Sequence, residues 1–394
     1  MLTKRKAKDA FTAGLRQVRR SLRQIHLWLG LSLGALFVVL GLTGSALVFY
    51  VEIDAALHRD VRADASLPAP GWDSPVWDQA LATARAHRPD ARGEWAFEVT
   101  GEGGPIPARY YPPSPHHGHH AEREMLWFSS DGSTIVRSDA WGSYLMSWLY
   151  ELHMHLLAGE IGRQIVGWSG FAMLVLLATG IAVWWPRGHW RKALAFKRSA
   201  VPLRRLRDIH KLSGLWSALL LFALVATGAL LALPGIKTQM FAAARAAPDE
   251  IPSPRSGAAS GPQIPITTAL AAAHAAMPDA RLAFIDVPGI GDKPFRMRVR
   301  VPGDPQQRFP GSFVFVDQYS GEVLGIHDVR LGNAATAVNS WIRPIHDGSI
   351  GGLWGRILAV ILGFVPLLLF ITGFLHRRRR LAARAGFHST GSLS

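Results

Sequence analysis

Four long runs of uncharged, mostly apolar residues are the feature that most limits how this chain can fold. They cover residues 27–51, 164–185, 212–235 and 357–375. At about 1.5 Å per residue in an α-helix, each run is about as long as the roughly 30 Å hydrocarbon core of a bilayer. A helix also satisfies its own backbone hydrogen bonds, which lipid cannot do. The pattern therefore predicts four membrane-spanning helices with both termini on the same side.

The distribution of Lys and Arg predicts the orientation of these spans. Residues 1–23 contain eight basic residues and one acid, and Asp208 is the single acid in the loop between the second and third runs. A run of four arginines begins at Arg377, just after the fourth apolar run. Because basic residues stay on the cytoplasmic side of a membrane, all three segments are expected to be cytoplasmic. This topology accounts for most of the net charge of +15 without nucleic acid, for which no groove-reading motif is present.

The spans divide the chain into nine consecutive segments. The first run ends in Tyr50-Val51-Glu52 instead of a small-residue cleavage site, so it is expected to remain as an anchor. The predicted order is a basic cytoplasmic tail at 1–23, a first span at 24–51, an extracytoplasmic domain at 52–140, a second span with its lead-in at 141–186, a basic cytoplasmic loop at 187–208, a third span at 209–235, a second extracytoplasmic domain at 236–340, a fourth span with its lead-in at 341–376, and a cytoplasmic tail at 377–394.

The two halves of the chain repeat each other at non-apolar positions. Histidine, glycine and arginine recur at a constant spacing, which hydrophobic composition alone does not produce. The matches are His26 with His210, Gly30 with Gly214, Thr43-Gly44 with Thr227-Gly228, His153 with His346, Gly162-Arg163 with Gly355-Arg356, and Thr179-Gly180 with Thr372-Gly373. The soluble segments correspond as well, each with an Ala-rich helix followed by β-branched and aromatic strands. The expected fold is a four-helix transmembrane bundle from a duplicated unit, with two small α+β domains.

The repeated histidines carry the predicted chemistry. By topology, His26 and His210 lie near the cytoplasmic face, whereas His153 and His346 lie near the outer face. Histidine is costly at a bilayer unless it faces the protein interior and has a partner. Two neutral imidazoles from facing helices are the axial ligands of a bis-histidine haem. Because the chain has no cysteine, covalently attached haem and Cys-ligated clusters are excluded, and two haems in series are predicted.

Glycine and arginine near these histidines are consistent with a macrocycle. Gly30 and Gly214 lie four residues after their histidines, and Gly44 and Gly228 lie eighteen after, so each histidine is expected to have small residues along its own helix face. Arg23, Arg207, Arg163 and Arg356 are candidate partners of haem propionates. The simpler interpretations are snorkelling histidines, glycines that pack helices, and arginines that set topology.

Two further histidine groups leave alternatives open. His155 competes with His153 as the outer ligand, but a helix turns about 200° between them, and only His153 has a repeat counterpart. His376 has no histidine counterpart in the other half of the repeat and is interpreted as a residue at the cytoplasmic edge of the membrane. The tract at 116–120 (HHGHH) is either a polar loop or a divalent metal site.

The segments RQIHLWLGLSLGALFVVLGLTGSALVF, RDIHKLSGLWSALLLFALVATGALL, ELHMHLLAGEIGRQIVG, PIHDGSIGGLWGRI and FVFVDQYSGEVL resemble the PepSY-associated transmembrane family of bacteria. The resemblance covers nearly the whole chain apart from its tails. Within that family the chain is most similar to ferrisiderophore reductases of the FoxB type. The resemblance implies PepSY-like periplasmic domains, a bacterial inner-membrane location, b-type haem, and reduction of siderophore-bound Fe(III).

The expected function is therefore di-haem electron transfer to a periplasmic ferric siderophore, with no residue acting as general acid or nucleophile. No nicotinamide or flavin fingerprint is present, so the electron donor is external, either membrane quinol or a cytoplasmic reductase. Besides the siderophore and the donor, the expected partner is membrane lipid. Two other classes stay open: a haem-free PepSY regulator or sensor that binds a protein, and an iron or siderophore transporter. Transport is disfavoured because the runs 27–51 and 212–235 contain no acidic residue.

Overall fold

The computed structural model describes residues 2–113, 123–186, 188–259 and 261–390, with no side-chain description for 2–12 and 384–390. The α-helices are α1 Leu2–Ser32, α2 Gly34–Leu47, α3 Tyr50–Leu57, α4 Val76–His87, α5 Leu145–His155, α6 Gly159–Trp184, α7 Trp190–Leu194, α8 Pro202–Ala232, α9 Pro234–Ala243, α10 Ile266–Ala276, α11 Ala334–Asp347 and α12 Gly352–Thr390. The strands are β1 Glu94–Glu98, β2 Ile106–Tyr111, β3 Glu124–Phe128, β4 Ile135–Ala140, β5 Arg281–Val287, β6 Phe295–Arg300, β7 Ser312–Val316 and β8 Val323–His327. Short 3-10 helices cover Arg59–Val61, Val329–Leu331 and Ser349–Gly351.

The chain forms two compact units, each assembled from segments distant in sequence. The helical unit contains Met1–Val48, His153–Leu233 and Ile345–Ser394. The sheet unit contains Phe49–Leu152 and Pro234–Pro344.

The helical unit contains the membrane-spanning helices. Within the part of the chain that the structure describes, three helices are long and apolar enough to cross a bilayer: Gly159–Trp184, Pro202–Ala232 and Ser349–Ala383. The first predicted span is divided into Ala13–Ser32 and Gly34–Leu47, which meet at an angle of 60° and pass the same test only as a pair. The described helices therefore provide three spans, or four if the bent pair crosses as one. This is the architecture of a helical membrane protein.

Glycines bring α2 and α12 into close contact beside this bend. A Cβ at Gly34 would lie 2.3 Å from Cδ2 of Phe370, and a Cβ at Gly41 would lie 2.3 Å from the backbone oxygen of Gly363. Side chains at these positions would force the two helices apart. Small residues at helix contacts are a general way to bring backbones together in membranes, where lipid provides no hydrophobic force between helices. The bend at Leu33 thus lies beside a packing contact, and no proline is present there.

Arginines bind exposed carbonyl groups at helix ends in the helical unit. Arg19 donates to the backbone oxygen of Val183 at 2.6 Å and to that of Trp185 at 3.2 Å, where α6 ends. Arg356 donates to the backbone oxygen of Val48 at 2.7 Å, just after α2. The last carbonyls of a helix have no intrahelical partner, and a guanidinium group both satisfies them and complements the helix dipole.

The sheet unit is built on one antiparallel sheet of eight strands in the order β4-β3-β2-β1-β5-β6-β7-β8. Helices α4 and α10 contact each other, and α10 packs on β6, β7 and β8. Their shared core includes Trp77, Phe97, Ile285 and Met297, none of them more than 1% exposed. Strand β2 shows the expected alternation, with Ile106 buried and Pro107 half-buried. The two helices therefore cover the central strands on one face of the sheet.

The sequence predicts two small domains, whereas the structure joins both soluble segments in one sheet. Strand β1 from the first segment pairs with β5 from the second, so that Phe97 lies opposite Ile285. Each segment alone would have an unpaired edge at this strand, and pairing satisfies both edges. The two predicted domains therefore share one hydrophobic core.

Candidate functional site

Four histidines in the helical unit form two facing pairs. The ring centroids of His26 on α1 and His210 on α8 are 6.2 Å apart, with an angle of 88° between the ring planes. The centroids of His153 on α5 and His346 on α11 are also 6.2 Å apart, with an angle of 38°. These are the same pairs that topology and the sequence repeat bring together. The ring that His346 faces in this pair is that of His153.

The rings of the first pair are held by backbone carbonyl groups on neighbouring helices. Nδ1 of His26 lies 3.0 Å from the oxygen of Leu176 on α6. Nδ1 of His210 lies 3.0 Å from the oxygen of Leu369 on α12. A carbonyl oxygen only accepts hydrogen bonds, so Nδ1 carries the proton in both rings. The lone pair is then on Nε2, the nitrogen that a metal takes.

The second pair follows the same pattern. Nδ1 of His346 lies 2.9 Å from the oxygen of Leu224 on α8. Nδ1 of His153 lies 3.1 Å from Oγ1 of Thr43 on α2. The Thr43 hydroxyl donates its own proton to the oxygen of Val39 at 2.8 Å, so it accepts from His153. Such a hydrogen bond on Nδ1 is what orients metal-binding histidines.

A glycine on the same neighbouring helix gives each ring its space. The distance from a Cβ at the glycine to the histidine Cε1 would be 2.9 Å for Gly180 and His26, 3.3 Å for Gly373 and His210, 2.9 Å for Gly44 and His153, and 2.6 Å for Gly228 and His346. Three of these distances are shorter than van der Waals contact allows. An alanine at one of these three positions would displace the ring, so the histidine rings can adopt these positions only beside glycine.

The four segments that contact the histidine rings, called seats from here on, share one sequence motif. The sequence repeat shows its Thr-Gly part but not the leucine. Each is a Leu-x-x-Thr-Gly segment, in which the glycine contacts the ring, and Nδ1 is bound by the leucine carbonyl in three segments and by the Thr43 hydroxyl in the fourth. The segments are 40–44, 176–180, 224–228 and 369–373. In every one, the threonine hydroxyl donates to the carbonyl four residues earlier, as for Thr227 and Ala223 at 2.7 Å. Histidine and seat lie on different helices, and this link between helices is absent from the linear pattern.

Gly44 and Gly228 make room for the histidines of the second pair. Gly44 contacts His153, and Gly228 contacts His346. Eighteen residues of helix correspond to about 27 Å, so these glycines lie at the opposite end of the span from His26 and His210. Gly30 and Gly214 have more space, since a Cβ would lie 3.7 Å from Leu176 and 3.5 Å from Leu369, respectively.

The separation within each pair fits two ligands on one metal ion. A metal–imidazole bond is about 2 Å long, and the ring centre lies roughly 1 Å beyond the nitrogen, so two axial imidazoles place their centroids about 6 Å apart. Both pairs are at 6.2 Å. Two imidazoles leave the remaining coordination positions to another group, as a porphyrin supplies in a bis-histidine haem. The seats and the spacing therefore fit haem iron, and the assignment of the four histidines as its ligands stays a prediction.

The four candidate arginines occupy different environments. Arg163 donates to Glu160 at 2.7 Å, and Arg356 binds the carbonyl of Val48. Arg207 lies 3.7 Å from the buried Asp208, and Arg23 is exposed. Arg163 and Arg356 therefore have partners within the protein, and binding of all four to haem propionates stays a prediction. The histidine tract at 116–120 lies outside the described residues.

The comparisons with known proteins give one finding for the family and none for a close relative. No curated protein matches the chain. The family model described as the PepSY-associated TM region matches residues 23–380, which include all four paired histidines and all four Leu-x-x-Thr-Gly seats. This chain therefore belongs to the PepSY-associated transmembrane family.

Proposed function

We propose that this chain is a di-haem b electron carrier of the bacterial inner membrane that reduces ferric siderophores on the periplasmic side. The observation that carries the proposal is the pair of histidine sites. In each, two imidazoles lie 6.2 Å apart, and both Nδ1 atoms donate hydrogen bonds to the neighbouring helices. A snorkelling or merely packed histidine needs neither a partner ring at this distance nor a glycine seat.

The residues of each site would hold and orient two histidines that bind a haem iron. The haem, when bound, supplies an iron that accepts and passes one electron at a time. The carbonyls of Leu176, Leu224 and Leu369 and the hydroxyl of Thr43 accept the Nδ1 protons, which orients the rings and raises the basicity of Nε2. The surrounding apolar helices exclude water and lower the local dielectric constant, which tunes the redox potential.

The proposed topology places the two pairs near opposite membrane faces. The basic segments at 1–23, 187–208 and 377–394 are cytoplasmic, the bent first helix pair crosses as one span, and the four spans form a bundle of two duplicated halves. The shared Leu-x-x-Thr-Gly seat in every span supports the duplication. His26 and His210 then lie on the cytoplasmic side, and His153 and His346 on the periplasmic side.

Iron release follows from the change in charge. One electron converts the bound Fe(III) to Fe(II), whose lower charge weakens its attraction to the oxygen ligands of a siderophore. The electron comes from an external donor, membrane quinol or a cytoplasmic reductase. No residue of this chain acts as a general acid, base or nucleophile in this scheme.

Absorption spectroscopy of the purified, full-length protein tests the proposal. We expect a b-type Soret band, split α and β bands on addition of dithionite, and two haems per chain by the pyridine haemochrome assay. The reduced protein should then be reoxidised anaerobically by a ferric hydroxamate siderophore, with Fe(II) trapped by a chromogenic chelator. A folded but colourless protein would contradict the electron-carrier function and favour a haem-free regulator. If the reduced protein is not reoxidised by several chemically different ferric siderophores, the assignment of the substrate is wrong, whereas the electron-carrier function stands.

A further inference from the structure

The face of the sheet that is not covered by α4 and α10 carries a row of charged and aromatic side chains. Strand registers place Glu98 opposite Phe284, Phe284 opposite Arg298, and Arg298 opposite Phe313. Their sequence neighbours Phe97, Ile285, Val299 and Val314 all belong to the core under the helices. Since successive residues of a strand point to opposite faces, the row lies on the other face.

Four arginines surround a single aromatic ring at this row. The Cζ atoms of Arg343, Arg308, Arg109 and Arg298 lie 5.1, 5.3, 5.7 and 5.9 Å from the ring centroid of Phe309. Phe309 itself stacks on Phe284 at 5.4 Å, with an angle of 12° between the planes. Cation–π contacts of this kind stabilise each guanidinium modestly, but they leave its charge in place.

One carboxylate compensates only part of this charge. Glu98 accepts from Arg109 at 2.6 Å and from Arg308 at 2.7 Å. Burial by itself raises the pKa of the Glu98 carboxyl, but Arg308 and Arg109 outweigh burial and lower the pKa. Among the described residues, neither Arg298 nor Arg343 has a carboxylate within ion-pair distance. The cluster around Phe309 therefore carries three positive charges in excess.

The surroundings make this excess costly without an anion. The pKa of Arg298 is lowered to about 10, chiefly by burial and also by nearby arginines, while Asp286 opposes the shift. Asp286 itself is bound by Arg296 at 2.7 Å. Arg298 is still charged at neutral pH, so the repulsion between the guanidinium groups remains. A guanidinium matches a carboxylate with two parallel hydrogen bonds, and such pairs are stronger than neutral hydrogen bonds.

We propose that Arg298 and Arg343, beside the ring of Phe309, form a binding site for a multiply charged polycarboxylate chelate of iron. The identity of this ligand as an electron acceptor rests on the proposed function, whereas the site itself rests on the charge and geometry of the sheet face. Each guanidinium without a carboxylate partner takes one carboxylate of the chelate. A chelate without net negative charge gains nothing from this cluster, so the cluster favours anionic chelates over uncharged ones.

Isothermal titration calorimetry with gallium(III) citrate tests this site on the full-length protein in nanodiscs of zwitterionic lipid. Gallium(III) has the charge of Fe(III) and is not reduced under these conditions, so binding is measured apart from electron transfer. We expect Arg298→Gln and Arg343→Gln each to weaken binding about tenfold or more, since each removes one charge-assisted pair. Added salt should weaken binding to the wild type as well.

Two matched variants control for fold and for simple charge. Arg255→Gln removes a side chain that is 80% exposed and already paired with Asp292 at 2.7 Å, so it should leave the affinity unchanged. Arg298→Lys keeps the charge but removes the planar fork, and it should fall between the wild type and Arg298→Gln. Thermal unfolding of each variant shows whether the sheet unit is intact.

Several results would overturn the site. Equal affinity of the wild type and the Arg298→Gln/Arg343→Gln double variant would do so, as would equally tight binding of a gallium hydroxamate without net negative charge. Displacement of gallium citrate when the nanodiscs contain phosphatidylglycerol would assign the cluster to a lipid headgroup instead. A protein without haem that binds gallium citrate would overturn the electron-carrier function and support this site. A di-haem protein that does not bind it would overturn this site alone.

Discussion

The two histidine pairs reach the same ring separation from different backbones. His26 and His210 lie within long helices, α1 and α8, of 31 residues each. His153 and His346 lie near the ends of the shorter helices α5 and α11, which are followed by residues with left-handed backbone conformations: Leu156 at φ 48°, Leu157 at φ 58° and Gly348 at φ 76°. What the pairs share is the Leu-x-x-Thr-Gly seat on a neighbouring helix. The seat, more than the helix that carries the histidine, determines the geometry of the ring pair.

The largest effect is expected when one histidine of a pair is removed. His26→Ala or His210→Ala should lose one of the two haems, and His153→Ala or His346→Ala should lose the other, because each pair is a separate site. The pyridine haemochrome assay on purified protein measures the loss, with His376→Ala as the control that retains both haems. Loss of both haems from one substitution, in a protein that still folds, would contradict two independent sites.

Substitution of the seat glycines should separate the two pairs by degree. A Cβ at Gly228 would lie 2.6 Å from Cε1 of His346, whereas a Cβ at Gly373 would lie 3.3 Å from Cε1 of His210. Gly228→Ala should therefore displace its ligand and destabilise the protein by about 1–3 kcal/mol, the usual range for overpacking. Gly373→Ala should be much milder.

Gly214→Ala is the matched control, since Gly214 lies on the same helix as Gly228 and a Cβ there would be 3.5 Å from Leu369. Haem content and thermal unfolding are the measurements. Equal losses from Gly228→Ala and Gly214→Ala would show that the seat does not hold the ring.

The ring planes should distinguish the two haems in the oxidised protein. Perpendicular imidazoles, as in the pair at 88°, leave the two iron dπ orbitals nearly degenerate, whereas more parallel ones, as at 38°, split them. We therefore expect two different low-spin signals in electron paramagnetic resonance. His26→Ala should remove the signal with the larger g anisotropy, and His153→Ala the other. A single signal that accounts for both haems would show that the planes are equivalent.

The smallest effect is expected at the rival histidine. His155→Ala should retain the periplasmic haem because the ring that faces His346 belongs to His153. Haem content and the reduced spectrum of His155→Ala and His153→Ala, measured side by side, decide the ligand. Loss of the haem in the first variant and its retention in the second would exchange their roles.

The sequence by itself determined the membrane class of the chain, the approximate spans and the pairing of the histidines. Bilayer thickness sets the length of an apolar helix, and repetition brings His26 to the level of His210 and His153 to that of His346. The family also follows from local motifs, which the match over residues 23–380 confirms. These features are local along the chain, or they are imposed by the membrane.

Only the tertiary structure decided which glycine serves which histidine, where the first span bends, and how the soluble segments join. Gly44 contacts His153 from another helix, and β1 pairs with β5 across more than 180 residues of sequence. The arginines around Phe309 come from β2, β6, a loop and α11, so their spacing along the chain does not predict that they form a cluster. Contacts between distant segments depend on how helices and strands pack, and the local pattern of residues does not encode that choice.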